Sequence, residues 1–381
     1  MNFNKTFYSF MVIVFIVSSS FLGSYTPNFE TGVPKNFFIP GFLAGSAFFL
    51  YSSLLMLVSL VGFIDFINGK KNIAKSHLFL SLAFSLLFIW SVVTSAEILR
   101  YGLLFFSVVF FPFGFKVFLS HIPRVNLNRI IVSSFLLCLL VSSVFSILNF
   151  PTHVRISGFH SNPNLMGMWV VSFLAMVLMC ERLLSKNVVS FCIAFAGINV
   201  LMTGSRLATV VFIVLLLPFL LNRRYLTVIL IATGLALLYL TISETEMNLR
   251  GLDVGNAVSD SGRIVYWRKA VECIIISPLT GYGMNGAITC VGVGNVHNAY
   301  LRTFVMLGVP LGLIFFTFYF SFIYKVLTGN GDKFTKLYFI GVPMAFFAED
   351  YVTGFGSPFF PFFLMMFTFA AYYNSSFPRR N

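Results

Sequence analysis

Between Phe7 and Tyr373 the chain is a succession of apolar runs of up to about twenty residues, joined by short polar segments. A helix rising 1.5 Å per residue needs about twenty residues to cross the roughly 30 Å hydrocarbon core of a bilayer. Inside hydrocarbon each backbone N–H and C=O must be satisfied within the protein, which leaves helices as the spanning form for runs of this length. Composition points the same way. The chain is 58% hydrophobic and 10% charged with a mean hydropathy of +0.91, whereas roughly a quarter of a soluble domain is charged. Its 381 residues fit one all-α polytopic membrane bundle, a single domain over 1–381.

The runs predict about twelve transmembrane helices, near 7–22, 41–64, 78–96, 101–119, 130–148, 164–180, 188–203, 207–221, 225–242, 298–324, 335–348 and 358–373. Pro112 and Gly114 predict a kink or break in the fourth. The first run follows Lys5 and precedes Ser18, Ser19 and Ser20. No small-residue cleavage pattern stands out there, so it is retained as a span.

Basic residues are held on the cytoplasmic side of a membrane. Placing both termini inside puts sixteen of the 25 Lys and Arg residues in inside loops, with only Asp65, Glu181 and Asp332 of the 12 acids. The whole net charge of +13 then lies on one face. This distribution accounts for the pI of 9.6 through short anchoring loops and excludes a nucleic-acid interface. Cys138, Cys180 and Cys192 fall within spans and read as small apolar side chains. Cys273 and Cys290 share the longest outside loop, 243–296, where a disulfide is permitted. Within that loop, between predicted spans nine and ten, Ile264, Val265, Tyr266, Trp267, Ala270, Val271, Ile274, Ile275 and Ile276 are spaced for a short helix lying on the membrane surface, ended by Pro278.

The chemistry-bearing residues collect on the outside face. His297, beside Asn298, opens the tenth span, where an ionisable group is costly unless solvated or paired. Arg206 follows Gly204 and Ser205 at the junction of spans seven and eight, and Arg263 follows Ser261 and Gly262, with Arg268 and Lys269 a turn or more further on. One arginine so placed is ordinarily a solvated or snorkelling charge. Two small-residue-flanked arginines and a histidine on one face favour an anionic ligand, because the guanidinium fork matches a phosphate. The segment with Arg155, His160, Asn162, Pro163 and Asn164 opens the sixth span. Asn162-Pro163 is first of all a helix start, and it leaves a helix N-terminus facing outside, to which Arg155 and His160 can add. Glu349 and Asp350 end the eleventh span and can orient the histidine, accept a proton, or pair with arginines. Gly281, Gly283 and Gly286 match a dinucleotide-loop spacing without a preceding strand, and read as a tight re-entry turn.

Taken in order, Asn162-Pro163-Asn164, Gly204-Ser205-Arg206, Ser261-Gly262-Arg263 with Trp267, Pro278 with Gly281-Tyr282-Gly283, and His297-Asn298 with Leu301 and Gly308 resemble the O-antigen ligase and O-antigen polymerase superfamily. The resemblance covers about residues 150–325; the first five spans match by hydropathy alone. It implies a bacterial inner-membrane glycosyltransferase of GT-C-like type, acting at the periplasmic face on an undecaprenyl-diphosphate-linked glycan, without cofactor, metal or nucleotide sugar, and inverting in a single displacement. Arg206 and Arg263 would hold the diphosphate and His297 would act on the acceptor hydroxyl or assist departure. Arg155, His160, Asn162, Asn164, Arg268, Asn298, Glu349 and Asp350 would line the substrate site. The acceptor is another lipid-linked repeat unit in a polymerase, or lipid A core in a ligase. A chain-length regulator is an implied partner. The absence of a basic excess in the outside loops favours the less anionic acceptor, and so the polymerase. A lipid-linked sugar flippase or secondary transporter is the rival class. Such proteins carry paired halves with matching broken helices, and no second copy of these motifs occurs.

Overall fold

The structure is a computed structural model that describes residues 5–21, 41–69, 73–148, 160, 163–220, 263–293, 296–329, 331–346 and 359–373, with the backbone alone at 41–45, 124, 145–148, 182, 206 and 220. Its regular elements are helices: α1 Lys5–Ser20, α2 Gly41–Asn68, α3 Lys75–Val93, α4 Ile98–Ser120, α5 Arg124–Leu148, α6 Pro163–Met179, α7 Lys186–Thr203, α8 Arg206–Leu220, α9 Arg263–Ile276, α10 Ala299–Thr328, α11 Lys333–Ala345 and α12 Phe359–Thr368. No strand occurs among the described residues. Among the described residues six helices are long and apolar enough to cross a membrane, so the protein is a helical membrane protein. Each predicted span except 225–242 coincides with a helix. The ninth span and most of the 243–296 loop lie outside the described residues, and the count of twelve is not carried further.

α6 is apolar on all sides, and Met166 to Leu178 are buried throughout. A helix of that character belongs at the centre of a bundle, and α6 is wrapped by α5, α7, α8, α11 and α12. The basic residues Lys75, Lys116, Lys186, Lys325 and Lys333 lie at or near those helix ends that share one face of the bundle, the basic face. Lys333 closes that face by pairing with Glu181 at 3.1 Å.

The predicted break in the fourth span is absent: α4 runs unbroken through Pro112. Proline lacks the N–H that would bond the carbonyl four residues back, here that of Val108. His77 on α3 supplies the donor, its Nε2 lying 3.1 Å from the Val108 oxygen. The other ring nitrogen meets the Tyr372 hydroxyl, so Nε2 carries the proton and Nδ1 accepts. Gly114 acts as a close-packing residue. A methyl there would run into the Val58 carbonyl, and one at Gly62 into the Phe110 carbonyl, so α2 and α4 cross backbone to backbone.

The break is in α10, which the sequence reads as one span. Gly308 sits at φ 74°, ψ 175° within it, a region open essentially to glycine alone. In a straight helix Tyr300 and Phe320 would stand about 30 Å apart, yet their rings stack at 6.3 Å. Phe304 meets Phe316 at 5.4 Å, and Tyr300 meets Phe316 at 5.1 Å. The helix therefore reverses at Gly308 into two antiparallel arms, 299–307 and 309–328. The second arm alone has the length of a crossing.

The reversal frees carbonyls that other segments satisfy. The N–H of Tyr282 donates to Val305 at 2.8 Å and that of Gly283 to Met306 at 3.0 Å, while Val309 donates back to Pro278 at 2.7 Å. The Trp90 indole on α3 also donates to the Met306 carbonyl, at 3.0 Å. The Pro278–Gly283 turn is thus the re-entry turn the glycines predict, seated in the fold of α10. Gly281 has φ 61° and Gly283 φ 75°, and a methyl on Gly281 would stand 2.5 Å from the Gly308 nitrogen.

α9 packs one face on protein. Ala270 and Cys273 are buried in a small core with Ala287, Val291, Val296 and Val305, against which Tyr266, Trp267, Ile274 and Leu301 pack. Cys273 and Cys290 form a disulfide with a Cα–Cα distance of 6.1 Å, tying α9 to the π-helical turn Ala287–Val291.

Candidate functional site

α6, α8 and α11 share one end at the basic face, where Glu181 meets Lys333 and Phe219 of α8 stacks on Phe334 at 5.3 Å. Over the described residues they have 17, 15 and 13 residues, so at 1.5 Å per residue their other ends lie about 20–25 Å from that face and bound the candidate site.

Register fixes what stands at those ends. α8 and α11 run antiparallel, with Phe219 on Phe334 and Val211 against Gly341, so Arg206 is level with Phe346. α6 and α11 are also antiparallel, with the Thr335 hydroxyl on the Met179 sulfur at 2.9 Å and Ser172 near Tyr338 at 3.3 Å. That pairing brings Asn164 to the same level. The first arm of α10 starts there too, since the Ala299 N–H donates to the Phe346 carbonyl at 2.9 Å and the Tyr300 hydroxyl to Pro343 at 2.8 Å. The reversal at Gly308 is what carries His297 and Asn298 back to that level.

Each member is held by local chemistry. Gly204 ends α7 in the left-handed conformation. The Thr203 hydroxyl accepts from the Ser205 N–H at 3.2 Å, and Ser205 caps α8 by accepting from Ala208 at 3.4 Å. This corner makes Arg206 the first residue of α8. α6 approaches it closely: a methyl on Gly167 would lie 2.7 Å from the Ala208 β-carbon and 3.1 Å from that of Ser205. Asn298 caps the first arm of α10, its carboxamide oxygen accepting from Leu301 at 3.0 Å. That bond gives Asn298 a structural task in addition to any ligand contact. His297 has φ 54°, an unfavourable backbone for a residue with a β-carbon, and is half-buried. Backbone strain at an ionisable residue is the kind of outlier that gathers at functional sites.

Arg263 is the first residue of α9 and half-buried. α9 and the first arm of α10 share the small core and reach the same junction at Pro278 and Val309. Counting back one helix from that junction arrives at Arg263 on one strand of chain and His297 on the other. Arg268 is exposed on α9. Arg302, half-buried a turn beyond Asn298, is a further cation on the re-entrant arm that motif reading passed over. His160 is fully buried with its ring 5.1 Å from Trp169. Burial pushes its imidazole down to about 3, so it enters any ligand site as a neutral ring rather than a cation. Glu97 pairs with Arg100 at 2.8 Å. Arg155, Asn162, Glu349 and Asp350 lie outside the described residues.

With that geometry in place, comparison with known families gives a concordant result. The family model described as O-antigen ligase matches residues 191–316, from α7 into the second arm of α10. The chain carries an O-antigen ligase family domain over that stretch, in keeping with the O-antigen ligase and polymerase superfamily. The match contains Arg206, Arg263, His297, the disulfide and the reversal at Gly308. Members of this family are glycosyltransferase-like enzymes. Comparison with individually curated proteins gave no match.

Proposed function

We propose that this protein is a glycosyltransferase of the bacterial inner membrane that uses an undecaprenyl-diphosphate-linked glycan as donor, at the periplasmic face, and joins surface-polysaccharide repeat units. The observation that carries the reading is the level shared by Arg206, Asn164 and the His297-Asn298 turn, at the helix ends away from the basic face. The positive-inside rule makes the basic face cytoplasmic. The Cys273–Cys290 disulfide suits the oxidising compartment on the other side.

The reaction suits these residue types. An acceptor hydroxyl attacks the anomeric carbon as the bond to the diphosphate oxygen breaks, the hydroxyl proton passes to the His297 imidazole, and undecaprenyl diphosphate departs. Negative charge grows on the leaving oxygen, and the guanidinium groups of Arg206 and Arg263 would stabilise it. Histidine takes up a proton near neutral pH. A single displacement inverts the anomeric centre. Asn164, Arg268 and neutral His160 serve as substrate contacts, joined by Arg155, Asn162, Glu349 and Asp350.

Ligation to lipid A core is the second reading, favoured by the description of the matched family. Gel analysis of lipopolysaccharide from a deletion strain separates the two. Core bearing a single repeat signifies a lost polymerase; bare core with accumulating lipid-linked polymer signifies a lost ligase. His297→Ala should lower transfer by about 10²- to 10⁴-fold with insertion intact, and wild-type transfer in that variant removes His297 from the mechanism. Arg206→Lys keeps the charge but loses the fork. It should cripple transfer, whereas a transporter with a central site would tolerate it.

A further inference from the structure

The unit made of α9, the Pro278–Gly283 turn and the Ala287–Val291 π-helix turns a cluster of large apolar side chains outward. Ile275, Ile276 and Leu279 are 70%, 72% and 71% exposed, and Ile288 is 61% exposed. Earlier in α9 the outward residues are Val265, Arg268, Lys269, Val271 and Glu272, three of them charged. The largest and most exposed apolar side chains are gathered at the C-terminal tip of the helix.

The height of that tip in the bundle is fixed by three contacts. Val309, the first residue of the crossing arm of α10, donates to Pro278. A methyl on Gly308 would stand 2.5 Å from the Leu279 carbonyl, and one on Gly283 would stand 3.1 Å from the Thr94 side chain, immediately past the end of α3. At the same height the ends of the crossings are themselves exposed and apolar, with Val92 48%, Val93 64% and Leu313 55%. The tip thus continues the lipid-facing surface of α3 and α10, where a span meets the headgroup region. Exposed apolar side chains in such a place insert at the boundary between headgroups and acyl chains.

We infer that Ile275, Ile276, Leu279 and Ile288 seat the α9 unit in the bilayer leaflet away from the basic face, with acyl chains as their partner. Seating the turn that fills the α10 reversal would hold the candidate site at the depth of a lipid-borne headgroup. That consequence rests on the proposed function; the seating itself does not.

The test uses the full-length protein reconstituted in phosphatidylcholine–phosphatidylglycerol vesicles, with Ile276→Trp and Ile275→Trp compared separately against the parent chain. Folding is checked by the non-reducing gel mobility given by the Cys273–Cys290 bond. Seating in lipid is expected to abolish the added tryptophan emission when the phosphatidylcholine is brominated near its headgroup end, with aqueous iodide leaving it unchanged. Quenching by iodide and indifference to bromine overturns the inference in favour of a water-exposed tip. Indifference to both overturns it in favour of a protein partner or a second copy covering the patch. Neither readout depends on transfer activity, so the enzymatic reading stands or falls separately.

Discussion

Of the helices that carry a proline in an apolar stretch, α4 and α10 resolve it in opposite ways. In α4, Pro112 removes one hydrogen bond, the His77 imidazole replaces it, and the helix continues. In α10, Pro310 follows Gly308, several carbonyls are released together, and the chain doubles back. The difference lies in the number of carbonyls freed and in who can reach them. One carbonyl is within reach of one side chain on a neighbouring helix. The paired carbonyls of Val305 and Met306 are met by a turn of backbone that brings two N–H groups at once, supplemented by Trp90. The patched helix is scaffold; the reversed one carries the candidate site.

The sharpest way to break the contrast is at Gly308. Gly308→Ala places a β-carbon at a glycine-only backbone and 2.5 Å from the Leu279 carbonyl oxygen. It should destabilise by about 3 kcal/mol or more, read as a lowered midpoint of thermal unfolding in detergent. An unchanged midpoint would show that the reversal is not what the residue maintains. Next comes the bond that braces the turn. Removing the Cys273–Cys290 disulfide as a double serine variant should cost about 3 kcal/mol for a loop of this size. The expected sign is proteolysis confined to the α9 unit, with α1–α5 protected.

A smaller effect belongs to the patched helix. His77→Phe leaves the buried Val108 carbonyl without its donor, a loss of about 1–3 kcal/mol. Pro112→Ala restores the backbone N–H and should reduce that loss by about 1 kcal/mol, measured as the coupling in a double-mutant cycle. Additive effects would mean that the imidazole does not substitute for the missing amide. Smallest is Trp90→Phe, since Gly283 still donates to the Met306 carbonyl. We expect about 0.5–1.5 kcal/mol, and a loss as large as that of Gly308→Ala would make the indole, not the turn, the principal support.

Much of the site was legible one residue at a time. Gly204-Ser205-Arg206 reads as a corner because glycine ends one helix and serine caps the next, and both do so here. The glycines at 281 and 283 read as a turn, and both take positive φ. Cys273 and Cys290 were recognisable as residues free to pair. The Gly308–Pro310 signal was equally visible and was passed over, because an apolar run of this length is satisfied by a single crossing. The same kind of signal at Pro112 and Gly114 predicted a kink or a break, and the helix there is unbroken.

Sequence alone determined that this chain is helical and built for a bilayer, since runs of that length and polarity admit little else. It also determined where the arginines, the histidine and the tight turns fall along the chain. Only the tertiary structure decided which proline-bearing helix would reverse, and so which residues would share a level in the bundle. The reason is that glycine and proline merely permit a break. Whether one forms depends on donors for the freed carbonyls, and those donors, His77 for one helix and Trp90, Tyr282 and Gly283 for the other, come from elements that meet only once the bundle is assembled.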